Sequence, residues 1–463
     1  MRASAWMPLC LSVTVACSSE PLRGDAPAQN APPVVVVKAA GPPKPVCAPL
    51  RSTGGESAIG ESLAPVPAPV PAPAVAIDRV SELGPFYEKL AALARGRATD
   101  HVRIAVFGDS NLTMDFTTGR MRRRLSQRFG EGGHGFVALG KPWSHYHHMD
   151  VLHDVVRGFQ AYAITTKPTR DGVYGLAGIA VENEYQGART FVATAPDASP
   201  IGRVASSFDV FYLARPRGGA FDVELDRTRV GHIDTAADDK ALRVAHFSAP
   251  EGPHRLEVVS RSAAQIRVFG VAIERSAPGI VVDAFGVGSL NSKTLARTEP
   301  NAFRAMAKDR GYDLVILMTG ANDVFTMDAV PESIGSVIGW LHDVLPDAPV
   351  MLMTPADRGI IRPFAQTLKV VAQRRELAAA EGWPLWDQFA AMGGAGAMKQ
   401  FVRAGLAYKD GVHFTERGGA RMGDLFVDAL LEGFDGYLET HADAGCGVEP
   451  SVSDNSAILH EAQ

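Results

Sequence analysis

Three separate segments carry side chains that could together perform chemistry at an acyl group. Ser110 ends the sequence Gly-Asp-Ser, directly after the apolar run 102–107. Asn322 lies in Gly-Ala-Asn-Asp after a second apolar run, and Asp410 and His413 lie in Asp-Gly-Val-His ahead of the last helical segment. Each segment alone is a common turn or helix-cap sequence. Together they supply a hydroxyl, an amide, an imidazole and a carboxylate.

These four groups are the types that nucleophilic acyl transfer requires. Ser110 follows a predicted strand and precedes a predicted helix, so its own amide and the helix N-terminus can face an oxyanion. The His413 imidazole can take and return a proton near neutral pH. Asp410 can fix the tautomer of that imidazole from the same loop. Asn322 offers an uncharged amide donor.

The elements that must position these residues alternate between strand and helix. This alternation predicts a mostly parallel sheet with helices on both faces, in which functional groups collect at the carboxyl ends of the strands. The predicted strands are 102–107, 280–285, 313–318, 350–353 and one near Leu385, and the predicted helices include 110–129, 293–310, 331–345, 362–381 and 415–431.

Residues 150–278 follow a different pattern. Short β-rich segments, such as 208–213, 220–225 and 254–259, recur with turn residues between them and with weak helical periodicity. This spacing predicts a β-sandwich inserted into the α/β domain.

The three motifs, in this order and in these contexts, resemble blocks I, III and V of the SGNH (GDSL-type) hydrolases. The resemblance covers about 80–149 and 279–436 and implies a three-layer, flavodoxin-like α/β fold. It also implies that Ser110 is the nucleophile, His413 the general base, Asp410 the third triad member and Asn322 an oxyanion-hole donor. No cofactor or metal is implied.

Block II of this superfamily supplies a backbone amide to the oxyanion hole. The matching stretch here is 285–291, and we assign the amide to Gly288, with Gly286 as the alternative. The oxyanion hole implied by the resemblance therefore combines the amides of Ser110 and Gly288 with the side chain of Asn322.

The β-rich insertion and the glycine-rich segment 130–136 resemble the two-domain peptidoglycan O-acetylesterases. In those enzymes the insertion looks like a jelly-roll, carbohydrate-binding-module-like domain. The resemblance implies a serine esterase that acts on an O-acylated carbohydrate. Two alternatives stay open: an envelope polysaccharide O-acetyltransferase and a non-catalytic surface glycan-binding protein.

The N-terminal segment predicts export. Arg2 and the apolar run 3–16 are typical of a signal peptide, and the small residues before Cys17 resemble a lipoprotein processing site. Lipid on Cys17 would attach the protein to a membrane of the bacterial cell envelope; the alternative is an ordinary signal peptide cleaved near Ala16. Residues 18–77, rich in Pro and Ala, predict an extended tether.

The expected domains are 1–17 signal, 18–77 tether, 78–149 and 279–436 hydrolase, 150–278 insertion and 437–463 flexible tail. Cys47 and Cys446 could pair in an oxidising compartment or remain free thiols. The formal charge of −5 argues against nucleic acid as a partner.

Three further groups of residues receive structural interpretations. The basic cluster 120–124 is interpreted as a solvated helix face. The histidines at 145, 147, 148 and 153, with Trp143 and Tyr146, could suggest a metal site or a sugar platform, but we interpret them as a polar interdomain surface. Three tryptophans are interpreted as packing residues, namely Trp340, Trp383 and Trp386.

Overall fold

The structure is a computed structural model that describes residues 45–50, 63–64, 66–68, 74–359 and 364–448. The predicted signal segment and Cys17 lie outside these residues. The strands are, in chain order, β1 Pro45–Val46, β2 Ile77–Asp78, β3 Val102–Gly108, β4 Gly133–Ala138, β5 Val151–Arg157, β6 Phe159–Ala163, β7 Ile179–Asn183, β8 Arg189–Thr194, β9 Ala205–Ala214, β10 Ala220–Leu225, β11 Thr228–Asp234, β12 Ala241–Gly252, β13 Arg255–Ser260, β14 Arg267–Glu274, β15 Ile280–Gly286, β16 Leu314–Met318, β17 Val350–Met353, β18 Leu385–Trp386 and β19 Gly447–Val448.

The α-helices are distributed around these strands, and short 3-10 turns include Ser110–Leu112 and Asp323–Phe325. In chain order the helices are α1 Gly84–Ala94, α2 Phe116–Phe129, α3 Ser292–Leu295, α4 Pro300–Arg310, α5 Val330–His342, α6 Ala365–Glu381, α7 Gln388–Met392, α8 Ala397–Arg403 and α9 Glu416–Thr440. No helix within the described ranges is both long and apolar enough to cross a membrane.

A six-stranded sheet in the order β15-β3-β16-β17-β18-β2 positions the predicted site. Its first five strands are parallel and β2 is an antiparallel edge. Residues of β3, β15 and β16 pack on one face with α1, α2 and α9, and on the other face with α4 and α5. The predicted α/β fold is therefore confirmed.

Two antiparallel sheets form the predicted β-rich insertion. Their strand orders are β11-β10-β13-β8-β5 and β12-β9-β14-β7-β6. Apolar side chains of both sheets, among them Val210 and Val258, make up one buried cluster between them. The predicted sandwich of two sheets is present. β4 also pairs with β14 of this sandwich, although it lies before the boundary that we predicted at residue 150.

The described parts of the predicted tether contact the folded body. Val66 and Val75 pack against the core beside the central sheet, and the Trp386 indole Nε1 donates a hydrogen bond to the Val75 carbonyl at 3.1 Å. At the other end, α9 continues to Thr440, nine residues beyond the predicted end of the last helix. A disulfide joins Cys47 to Cys446 and ties both termini of the described chain together.

The interpretation of 120–124 as a solvated helix face is wrong. Arg122 is 1% exposed and bonds the Asp115 carboxylate, and Arg120 is 6% exposed and bonds Asp424. The reason is that each guanidinium has a carboxylate partner, and that Asp424 and the Val282 carbonyl, which also accepts from Arg122, come near only in the tertiary fold. The three tryptophans, as predicted, pack in or beside the cores.

Candidate active site

The central sheet brings the predicted triad residues together at the carboxyl ends of its strands. Ser110 begins the 3-10 turn directly after β3, and Asp410 and His413 lie in the loop before α9. The His413 Nε2 lies 2.8 Å from the Ser110 Oγ, and the His413 Nδ1 lies 2.7 Å from the Asp410 Oδ2. The hydroxyl, imidazole and carboxylate thus form one continuous hydrogen-bonded chain across 303 residues of sequence.

The loop that carries His413 is held by its own carboxylate. Asp410 Oδ1 accepts hydrogen bonds from the backbone amides of Val412 at 2.9 Å and His413 at 3.1 Å, which leaves Oδ2 for the imidazole. Partial burial raises the pKa of Asp410, but hydrogen bonds from the His413 side chain and these amides lower it by more. The pKa of Asp410 therefore lies below its ordinary value. Asp410 is therefore ionised at neutral pH and faces the ring.

Asn111, a residue to which the sequence analysis gave no role, connects the serine turn to the histidine loop. Its side-chain oxygen accepts from the Phe414 amide at 3.1 Å, and its nitrogen donates to the Val412 carbonyl at 3.4 Å. These two bonds bracket His413 on both sides. Only its position next to Ser110 could have indicated this role, because no periodicity distinguishes a bridging amide from an exposed one.

Asp109 is buried directly beside the serine. Its side chain caps the turn by accepting from the Asn111 amide at 3.0 Å. Burial raises the pKa of Asp109 to about 6, against the opposing effects of that hydrogen bond and of the nearby His413.

Two predicted oxyanion-hole residues, Asn322 and Gly288, make hydrogen bonds away from Ser110. Asn322 follows β16, but its side-chain amide donates to the Leu290 carbonyl at 3.1 Å. The Gly288 carbonyl accepts from Thr165, and Gly288 does not line the cavity around Ser110 and His413. Gly286 has a packing reason to be glycine, because a Cβ there would lie 2.5 Å from the Leu112 backbone, in the serine turn.

A buried ionic network supports the Asn322 turn. The Arg374 Nη2 donates to the Asp323 carboxylate at 2.6 Å, to Thr319 at 2.7 Å and to Ser292 at 2.9 Å. Asp323 also accepts from the Ser292 amide at 2.7 Å, which joins this turn to the start of α3. Sequence reasoning missed Arg374, because it lies on a helix far from the three motifs.

His145 and His147 are exposed, but the interpretation of the histidine cluster as a polar surface is wrong for its other two members. His148 and His153 are 2% and 4% exposed, and their rings pack on each other and on Tyr146. The Tyr146 hydroxyl lies 3.0 Å from His148 Nε2, and His134 Nε2 lies 3.4 Å from His148 Nδ1. Burial lowers the pKa of His148 to about 4, so this imidazole is neutral at neutral pH.

Asp115 lies beside this cluster, with ligand atoms of Asp115, His134 and His148 within 4.8 Å of one another. The carboxylate is already saturated by Arg122 at 2.9 Å, by the Met149 amide at 2.9 Å and by the Thr118 hydroxyl. A metal ion would have to displace these bonds. The cluster is therefore a hydrogen-bonded core that joins the start of α2 to the segment around residue 148.

Comparison with known proteins finds a family match for part of the chain. Residues 259–421 match the GDSL-like lipase/acylhydrolase family. This match over part of the chain supports an acylhydrolase domain of the SGNH superfamily. This SGNH domain is a serine hydrolase that acts on ester bonds. The matched segment contains Asn322, Asp410 and His413, whereas Ser110 lies on the other side of the β-rich insertion and meets them only in the fold.

A solved structure shares this fold. A peptidoglycan O-acetylesterase matches with a TM-score of 0.64 at 23% identity. The match covers 76% of the present chain and 96% of the esterase chain. Two further solved structures match with much lower scores. A family two carbohydrate esterase from Cellvibrio japonicus matches at 10% identity over 65% and 98% of the two chains, with a TM-score of 0.24. A lipase/acylhydrolase from Enterococcus faecalis matches at 20% identity over 33% and 76%, with a TM-score of 0.25. No curated protein sequence matches the chain.

Proposed function

We propose that this SGNH hydrolase is a carbohydrate O-acetylesterase of the bacterial cell envelope, with Ser110, His413 and Asp410 as its catalytic triad. The observation that carries the proposal is the hydrogen-bonded chain from Ser110 Oγ through both ring nitrogens of His413 to Asp410. The carbohydrate class is supported by the sequence resemblance and by the fold shared with a peptidoglycan O-acetylesterase.

The reaction proceeds by two acyl transfers. Ser110 Oγ attacks the ester carbonyl while His413 Nε2 takes its proton, and Asp410 stabilises the imidazolium through Nδ1. The tetrahedral intermediate collapses, His413 returns the proton to the departing sugar oxygen, and the acetyl group stays on Ser110. Water, deprotonated by His413, then releases acetate and restores the serine.

The oxyanion hole in this proposal comprises the amides of Ser110 and Gly288 and the side chain of Asn322. The Asn322 NH2 group carries two hydrogens, so it can keep its bond to the Leu290 carbonyl, at 3.1 Å, and donate the second hydrogen to the substrate oxygen. Such hydrogen bonds commonly tighten only in the substrate complex. The loss of one donor is expected to lower kcat by about 10² to 10³.

The β-sandwich is proposed to be a jelly-roll, carbohydrate-binding-module-like domain. Its strands support this assignment, since β8, β10, β11 and β13 lie in one sheet and β9, β12 and β14 in the other. The chain therefore crosses between the sheets at almost every step, as in a jelly roll. We also propose that the protein is exported and carries a lipid on Cys17. This part of the proposal is supported by the N-terminal sequence alone.

Acetate release tests the function. Wild type and Ser110→Ala are incubated with O-acetylated peptidoglycan, acetylated xylan and a small aryl acetate, and free acetate is measured. We expect release from a polysaccharide that Ser110→Ala abolishes. Equal, background-level release by both proteins on every substrate would refute the esterase. Acetate that appears on an added saccharide acceptor instead of in solution would identify an acetyltransferase.

A further inference from the structure

The cavity above the triad is larger than an acetyl group requires. Its volume is about 370 Å³, within the range of small-molecule sites. Besides Ser110 and His413, it is lined by Phe116, His145 and Tyr408. The excess space therefore adjoins the nucleophile and is bounded by flat rings, so it can hold part of the alcohol that the ester carries.

Tyr408 presents its ring from the catalytic loop itself. It is 45% exposed although it is a large hydrophobic residue. Its backbone amide donates to the His413 carbonyl at 2.9 Å, and its carbonyl accepts from the Gly411 amide at 3.1 Å. These bonds hold the backbone of Tyr408 beside that of His413, and the exposure of the residue leaves ring surface free for a ligand.

His145 presents a second ring from a segment that several contacts hold. Its imidazole stacks on Trp143, with ring centroids 6.3 Å apart and an interplanar angle of 23°. Trp143 in turn packs against Gly288, where a Cβ would lie 3.2 Å from the indole. The His147 amide donates to the Thr113 carbonyl at 2.9 Å, which attaches this segment to the turn that carries Ser110.

The charges of the cavity restrict its ligand. Among the described residues that line it, the ionisable side chains are Asp410, His413, His145 and the Tyr408 phenol. A substrate carboxylate would find no lysine or arginine in this lining, and the Asp410 carboxylate would repel it. This lining favours an uncharged group over a carboxylate.

We propose that His145, supported by Trp143, and Tyr408 form a subsite that holds a neutral pyranose ring of the substrate beside Ser110. This inference rests on the proposed esterase function and names its substrate more closely. The apolar face of a sugar ring packs on exposed aromatic rings, while its hydroxyls remain available to water or polar side chains. The subsite selects the alcohol and leaves the acyl chemistry to the triad.

The test compares two substrates in each variant: an acetylated neutral oligosaccharide, such as acetylated xylo-oligosaccharide, and 4-nitrophenyl acetate. For His145→Ala and Tyr408→Ala we expect the ratio of kcat/KM for saccharide to aryl ester to fall about three- to tenfold, mainly through a higher KM. Tyr408→Phe keeps the ring and should keep the ratio. Tyr185→Ala removes a tyrosine of similar exposure, 47%, from the sandwich surface and should change neither rate.

The outcomes separate the subsite from the esterase. If both alanine variants lower the two rates in equal proportion, or leave both unchanged, the subsite is refuted and the esterase remains. A wild type that cleaves a uronic-acid ester faster than the neutral saccharide would also refute it. If Ser110→Ala retains full activity on both substrates, the proposed triad itself fails.

Discussion

The replacement of Asp410 by Asn tests the proposed triad without changing the size of the side chain. The introduced amide can keep its oxygen on the backbone amides of Val412 and His413, where Asp410 Oδ1 now accepts bonds of 2.9 and 3.1 Å. Its NH2 group would then face His413 Nδ1, at the present distance of 2.7 Å. An amide donor there favours the tautomer with its proton on Nε2, pointed at the Ser110 hydroxyl, so the base has no lone pair where it needs one.

The expected loss follows from this tautomer and from solvent access. A buried triad carboxylate replaced by its amide loses about 10⁴ in kcat. The Asp410 and His413 side chains are 47% and 41% exposed, so water can compete for both ring nitrogens and part of the population keeps the useful tautomer. We therefore expect a loss of about 10³ in kcat/KM, equivalent to about 4 kcal/mol of transition-state stabilisation.

The assay is the hydrolysis of 4-nitrophenyl acetate at pH 7.5, together with thermal unfolding to confirm that the variant is folded. Asp197→Asn serves as the control, because Asp197 is an exposed carboxylate on a turn of the sandwich, and it should leave the rate unchanged. A folded Asp410→Asn protein within tenfold of wild type would refute the role that we assign to this carboxylate.

Three further changes test other parts of the structure. Arg374→Met leaves the fully buried Asp323 carboxylate without its partner, so unfolding by urea should become easier by about 3–5 kcal/mol; a change under 1 kcal/mol would contradict the network. Burial raises the pKa of Asp109 to about 6, above its value in the unfolded chain, so its protonated form stabilises the fold at low pH and wild type loses this stability as the pH rises through 6. The introduced Asn does not titrate, so its fold does not lose this stability. We expect the unfolding free energy of Asp109→Asn minus that of wild type to be about 1–2 kcal/mol larger at pH 8 than at pH 5, and the same difference at both pH values would contradict this. Cys446→Ser opens a covalent loop of 399 residues and should lower the free energy of unfolding by about 2–5 kcal/mol. An unchanged midpoint of urea unfolding would show that Cys47 is not paired.

The sequence was sufficient to predict how the triad meets. Parallel strands place their carboxyl ends at one edge, so motifs after 102–107 and before α9 converge if the sheet forms. The contact between Asp410 and His413 is equally local, because three residues separate the carboxylate from the imidazole. Short-range patterns and a general rule of sheet topology made this convergence plausible, and the resemblance to the SGNH hydrolases assigned the roles.

The buried charges could not be predicted in the same way. Arg122 is charged and helical, which usually indicates solvent exposure, but Asp115 and the Val282 carbonyl satisfy it inside the core. Its partner at 282 is 160 residues away. His148 is a similar case, since the insertion that covers it could be placed on the hydrolase only by the fold.

The boundary predicted at residue 150 does not coincide with the strand pairing. β4 was assigned to the hydrolase because it precedes the insertion in sequence, yet its hydrogen bonds go to β14. The oxyanion glycine is a second case. Spacing alone did not distinguish Gly286 from Gly288, and the structure shows only that Gly286 must approach the Leu112 backbone closely.

The most direct test of the central claim is covalent labelling. The protein is treated with a fluorophosphonate, which reacts with activated serines, and the modified residue is located by mass spectrometry. The account predicts one adduct, on Ser110, with much slower labelling in His413→Ala and none in Ser110→Ala. Labelling of a different residue, or ester hydrolysis that persists in Ser110→Ala, would contradict it.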